Sequence, residues 1–321
     1  MSPKILLAIS VLAIIFVSGC ISQVRPFEGG LFPPHEPPVC GDNVCEGDVF
    51  EENQCPRDCV SREHYAILEE GMFSVIVPKG YELLGEKHLE DLGYCYKLIS
   101  GFLGIKPYYN RTFLIINVTE RNDPKAGTGE AFFNTMIHYR IQEWIDMDLR
   151  AVEENIPGDF LYNLSPGHCA NTHEFTHVFV GHLSLPQWAN EGIASYAQKP
   201  LQQAFLDIEC RENSLYQTDY WEDGKKKLFP YSDLDAGYDV DPNEDPATVA
   251  LWYSTARCFW EYVDETYGRE KMKEIFQKLN TISEEIRRTG LGSVNFIDDV
   301  LVPVLGKEIK VVLAERFGVE S

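Results

Sequence analysis

Basic charge is what this chain has least of: 28 Lys+Arg stand against 50 Asp+Glu in 321 residues, a formal net charge of -22. Gripping a phosphate backbone takes a basic footprint, so the imbalance excludes nucleic acid as a partner. Long apolar runs are scarce too. The uncharged stretch from Ile5 to Val17 has 13 residues, and a confident membrane span needs about 20. No fixed-period repeat appears, and no low-complexity tract beyond one linker, which sets repeat architectures aside. Wholesale disorder is excluded by 44% hydrophobic against 24% charged residues. The length allows about two domains.

The first 20 residues read as an address. Lys4 supplies a basic start, Ile5 to Val17 an apolar centre, and Val17-Ser18-Gly19-Cys20 follows. This segment resembles the lipobox of exported prokaryotic lipoproteins. The resemblance implies cleavage before Cys20, lipid on its thiol and new amino terminus, and a tether at the outer face of the cytoplasmic membrane. An uncleaved anchor or an ordinary cleaved signal would also export the chain, the latter as a secreted protein. Residues 21–39, rich in Pro, Gly and Phe, read as a linker.

Setting Cys20 aside leaves eight cysteines of nine. Cys40, Cys45, Cys55 and Cys59 crowd into residues 40–60, the pattern of a disulfide-rich mini-module in an oxidising compartment. Zinc is the rival, but its four-cysteine sites use paired short spacings, and these gaps are four, nine and three. The segment resembles a short Cys-rich repeat of secreted proteins. Its Asp42, Asn43, Glu46, Glu52 and Asp58 are candidate Ca²⁺ ligands, against a plainer role as solvated turn residues.

Residues 61–160 read as an α/β part. Phe73 to Pro78, Thr112 to Val118 and Thr135 to Tyr139 have strand character, and Glu86 to Leu103 has helical spacing. Together they predict a small mixed sheet with a helix packed on it. From about residue 141 the period turns helical, and residues 161–321 read as a mainly helical part. Helices are expected over Ala247 to Tyr267, Glu270 to Leu279, Phe296 to Leu301 and Lys307 to Phe317, with an irregular loop over Gln217 to Pro246.

Chemistry concentrates in His173-Glu174-Phe175-Thr176-His177. On a helix, His residues at i and i+4 share a face one turn apart, so both imidazoles reach one ion. Zinc accepts such nitrogen ligands in tetrahedral geometry. Glu174, about 100° round the helix, stands beside the ion, where it can take a proton from the attacking water. Chance produces this pattern about 0.02 times in a chain of this composition. Thr172 is the candidate N-cap, and Phe175, Val178, Phe179 and Leu183 supply an apolar face. Leu185-Pro186 then breaks the helix. A second helical segment carries Glu191, 14 residues past His177, close enough to return a third ligand. Three protein ligands leave the fourth position open, the arrangement of a catalytic zinc.

HEFTH followed by PQWANEGIA resembles the gluzincin metallopeptidases, especially the compact peptidase MA-like group. The resemblance implies one zinc held by His173, His177 and Glu191, with Glu174 as general base. Trp252 to Arg257, with Tyr267-Gly268 closing the helix, is similar to the family helix whose tyrosine faces the oxyanion, which implies that role for Tyr253. The aminopeptidase strand motif is missing. Gly129-Glu130-Ala131 comes nearest, and Glu130 reads there as a loop carboxylate. His168 and His182 read as surface or capping groups, and Asn190 or Ser195 as candidate supports of a ligand. Cys169 is expected in a disulfide with Cys95, Cys210 or Cys258, and Trp188, Trp252 and Trp260 in the core.

The expectation is therefore an α+β chain, a small mixed sheet lobe packed on a mainly helical zincin-like lobe behind the Cys-rich module. Its expected activity is zinc-dependent hydrolysis of a peptide or protein bound along an edge strand, the one near Thr135 to Tyr139. A cell-surface binding module on the same scaffold, or a zinc hydrolase of non-peptide amides or esters, are the alternatives.

Overall fold

A computed structural model describes residues 59–123, 125–132, 134–154, 169, 171–202, 220–222, 225–227 and 246–317. Cys20, the linker, Cys40, Cys45, Cys55, the candidate Ca²⁺ ligands and His168 lie outside them. Among the described residues no helix is long and apolar enough to cross a membrane. They divide into two compact units, within Met1–Tyr96 and Tyr109–Val178 and within Lys97–Tyr108 and Phe179–Ser321.

The first unit is built on a mixed five-stranded sheet: β1 (Tyr65–Glu70), β2 (Phe73–Pro78), β3 (Thr112–Thr119), β4 (Gly129–Phe132) and β5 (Thr135–Ile141), in the order β1-β2-β3-β5-β4. Strands β2, β3 and β5 are parallel, and the outer strands β1 and β4 run antiparallel to their neighbours. Ser74 to Val77 are fully buried, which is why β2 reads as a nearly continuous apolar run. A parallel pair needs a long crossover. Helix α1 (Glu82–Leu103) supplies it between β2 and β3, burying Leu84, Leu92, Cys95 and Ile99 along one stripe. Phe73 of β2 meets Tyr96 of α1 edge-on at 6.0 Å. Helix α2 (Gln142–Glu153) follows β5 directly, and α3 (Thr172–Val180) brings Phe175 to within 6.0 Å of Phe73.

The second unit is helical. Helix α1 ends at Gly104, whose φ of 71° is open to glycine and whose N–H closes the last turn on Ser100 O at 2.8 Å. Helices α4 (Gln187–Gln202), α5 (Pro246–Tyr267) and α6 (Arg269–Thr289) are followed by a π-helical segment Phe296–Leu301, α7 (Val302–Leu305) and α8 (Glu308–Phe317). An aromatic core joins them. Trp188 packs on Phe259 at 5.1 Å, Trp260 stacks on Phe276 at 5.0 Å, and Phe259 meets Phe317 at 5.5 Å. Trp188 and Trp260 are thus core residues as expected, while the side chain of Trp252 lies outside the described residues. Helix α4 sits close against α5: Trp260 Nε1–H donates to Ala189 O at 2.8 Å, and a Cβ on Gly192 would stand 2.5 Å from Ala256 O.

The α+β composition and mixed sheet match the expectation, and β2, β3, β5 and α1 fall where the periodicity put them. Three corrections follow. Thr135 to Tyr139 is an interior strand, flanked by β3 and β4, because the short β4 doubles back to cover it. Glu130 is on β4 and not in a loop. Part of Gln217 to Pro246 is regular: β6 (Tyr220–Glu222) pairs antiparallel with β7 (Lys225–Lys227).

Candidate metal centre

The start of α3 is tied down from two sides. A disulfide joins Cys95 of α1 to Cys169, three residues before the helix, and the Asn171 side-chain amide donates to Asp91 of α1. Cys95 is thus the partner among the three candidates; Cys59 and Cys258 are disulfide-bonded as well. Asn171 O accepts from Phe175 N at 2.9 Å, so the helix opens one residue before the expected cap. Thr172 is already helical, and its hydroxyl donates outward to Cys169 O at 2.6 Å. An apolar face alone does not explain α3: every residue from Asn171 to Val180 is buried.

Burying histidine and glutamate on such a helix requires partners. His173 and His177 are 8% and 3% exposed, with rings edge to face at 4.8 Å and Nε2 atoms 3.2 Å apart. Two nitrogens on tetrahedral zinc, each bonded at about 2.0–2.1 Å, stand about 3.3 Å apart. The i, i+4 spacing has therefore set the two imidazoles one tetrahedral edge from each other. Glu191 is 3% exposed on α4, whose first turn is closed by Pro186 O accepting from Ala189 N and Asn190 N. Gln187 donates to Glu191 Oε1 at 3.1 Å.

His173, His177 and Glu191 form a buried group that can hold a metal ion, each offering one ligand atom and all of these within 4.8 Å of one another. Two imidazole nitrogens and a carboxylate oxygen suit zinc, and three such ligands leave one position free. Glu174 is 5% exposed on the same helix and is not one of this group; its side chain lies against the backbone of Gly129 on β4.

The other candidates divide. Asn190 and Ser195 are both buried on α4. His182 is half-buried in the turn after α3. Its Nε2 lies 3.1 Å from Asn280 Oδ1, its ring stacks on Tyr108 at 5.6 Å, and Arg287 donates to its carbonyl at 3.0 Å. Burial pushes its imidazole down to about 4. Tyr253 belongs to the backbone of α5, and its side chain lies outside the described residues.

Two features escaped sequence reasoning. Glu130, 3% exposed, is ion-paired with Lys125 at 2.9 Å and accepts from Tyr139 at 2.8 Å, which explains a carboxylate on a strand. The Asp91–Asn171 contact links residues 80 apart in the chain and has no local signature. A Gly opening a strand run was the one available signal for the approach of Glu174 to Gly129. Comparison with protein-family models finds no match to this chain, and comparison with curated proteins finds none either.

Proposed function

We propose that the chain is an exported zinc-dependent peptidase, tethered through lipid on Cys20 at the outer face of the cytoplasmic membrane. The observation that carries the proposal is the buried His173, His177 and Glu191 group with a fourth buried side chain, Glu174, on the same helix but not among the ligands. A purely structural zinc site has no use for a further carboxylate of that kind. The resemblance of HEFTH and PQWANEGIA to the gluzincins supports the same reading.

In this reading His173, His177 and Glu191 hold the zinc, which when bound polarises the scissile carbonyl and acidifies the attacking water. Glu174 accepts a proton from that water as its oxygen bonds to the carbonyl carbon. As the C–N bond breaks, the proton passes from Glu174 to the leaving nitrogen, so the carboxylate is regenerated. Tyr253 donates a hydrogen bond to the carbonyl oxygen as it gains charge, a contact worth about 3 kcal/mol when preorganised. The substrate lies extended along β4, the sheet edge whose Gly129 adjoins Glu174, in place of the interior strand Thr135 to Tyr139.

The test is metal content of the purified chain together with cleavage of an unbiased peptide mixture, beside the Glu174→Gln variant. One zinc per chain, with cleavage in the parent and none in the variant, is expected. Cleavage by Glu174→Gln would remove the assigned base. Zinc without cleavage would point to a non-peptide hydrolase or a binding module, and a purified chain that binds no metal would end the metallohydrolase reading.

A further inference from the structure

Gly129 opens strand β4, opposite His138 of β5. Glycine is a poor strand residue, since it loses more conformational freedom on folding than any other and offers nothing to pack. The backbone does not ask for it here: Gly127, two residues earlier, has a φ of 86°, but Gly129 is not among the glycines of positive φ. Space is what excludes a side chain. A Cβ on Gly129 would stand 2.7 Å from Oε1 of Glu174 and 2.9 Å from both its Cδ and its Cγ. Unstrained carbon contacts lie at about 3.5–4.0 Å. Because Cγ is involved as well as the carboxylate tip, turning the terminal torsion does not relieve the overlap. Neighbouring Glu130 is not part of this contact, since alternation along a strand sends its side chain to the opposite face, where Lys125 and Tyr139 engage it.

From this we infer that Gly129 is a positioning residue for Glu174. The bare backbone of the edge strand is the wall against which the carboxylate is seated, and any side chain there displaces it. A general base acts only within hydrogen-bond reach of its proton, and a shift of about 1 Å is costly. The packing half of this inference stands on the contact alone; the catalytic half rests on the proposed role of Glu174.

A double-mutant cycle separates the two halves. Thermal unfolding midpoints are measured on the full chain for the parent, Gly129→Ala, Glu174→Ala and the double variant. With an ordinary φ, Gly→Ala by itself holds or raises stability. The expected result is a change of sign: Gly129→Ala lowers the midpoint in the parent, and leaves it unchanged or raises it once Glu174 is alanine. Equal lowering in both backgrounds would overturn the contact. Should Gly129→Ala fail to fold, a folded double variant supports the inference and an unfolded one overturns it. In the second arm, Gly129→Ala retains stoichiometric zinc while peptide cleavage falls about tenfold or more. Undiminished cleavage overturns the positioning role. If the parent itself cleaves nothing, the peptidase reading fails, and the sign change still decides the contact.

Discussion

Replacing His88 by glutamine reads the electrostatics of the layer between sheet and helix. His88 on α1 is 2% exposed, and its ring lies 6.3 Å from that of His138 on β5, itself 1% exposed. Burial, reinforced by the nearby Arg140 guanidinium, pushes His88 from its ordinary 6.5 down to about 3, and the same causes hold His138 well below its usual range. Both rings stay neutral in the folded chain but take up a proton near pH 6.5 once it unfolds. Below that pH the unfolded state binds more protons, so stability is lost as pH falls, by about 1.4 kcal/mol per pH unit for each ring. By about pH 4.5 the share of His88 is about 3 kcal/mol, a large part of a typical total. Asp148 of α2 works in the opposite sense. Burial pushes it from 3.8 up to about 6 against the pull of Arg140, so the folded chain holds its proton first and gains stability as pH falls through that window. The parent curve is thereby flattened. Urea unfolding from about pH 7 to about pH 4.5 should show His88→Gln gaining on the parent by about 1.4 kcal/mol per unit below pH 6.5. Asp148→Asn should lose ground over the same range. A difference between His88→Gln and parent that does not change with pH would refute the argument.

Replacing Cys95 and Cys169 together by serine opens a loop spanning 74 residues and should cost about 4 kcal/mol, read as a lower urea midpoint under non-reducing conditions. An unmoved midpoint would mean that the link to α1 adds nothing to the tether at Asn171. Gly192→Ala places a Cβ 2.5 Å from the Ala256 carbonyl oxygen, which is backbone and cannot swing away. The helices α4 and α5 must part, at about 1–3 kcal/mol. Because Glu191 is the adjacent residue, calorimetric zinc affinity should weaken in the same variant.

Much of the candidate site is legible in the sequence because its rules are local. Residues four apart on a helix share a face whatever surrounds them, and the 3.2 Å between the His173 and His177 nitrogens follows from that spacing. Pro186 keeps the helix from running on into the next segment, although α3 already ends at Val180, short of the expected Leu183, and a second helical pattern announces where Glu191 can return. Strands β2 and β3 are legible for a related reason, their largely buried apolar stretches Val75 to Val77 and Phe113 to Ile116, while β5 shows only β-branched and aromatic residues around the polar His138 and Arg140. Strand β1 has two glutamates in six residues, and β4 has only four residues, too few for a period to register.

By its residues alone, then, this chain settles which segments are helical, the spacing of the two histidines and the α+β class, since each is dictated by neighbours a few positions away. Only the tertiary structure decides that Cys169 bridges to Cys95, that Asn171 is held by Asp91, that Thr135 to Tyr139 lies inside the sheet, and that the bare backbone of Gly129 meets Glu174. The physical reason is common to all four. Each joins positions far apart in the chain, and strand order and side-chain approach are set by which buried surfaces fit together, a choice that no local period encodes.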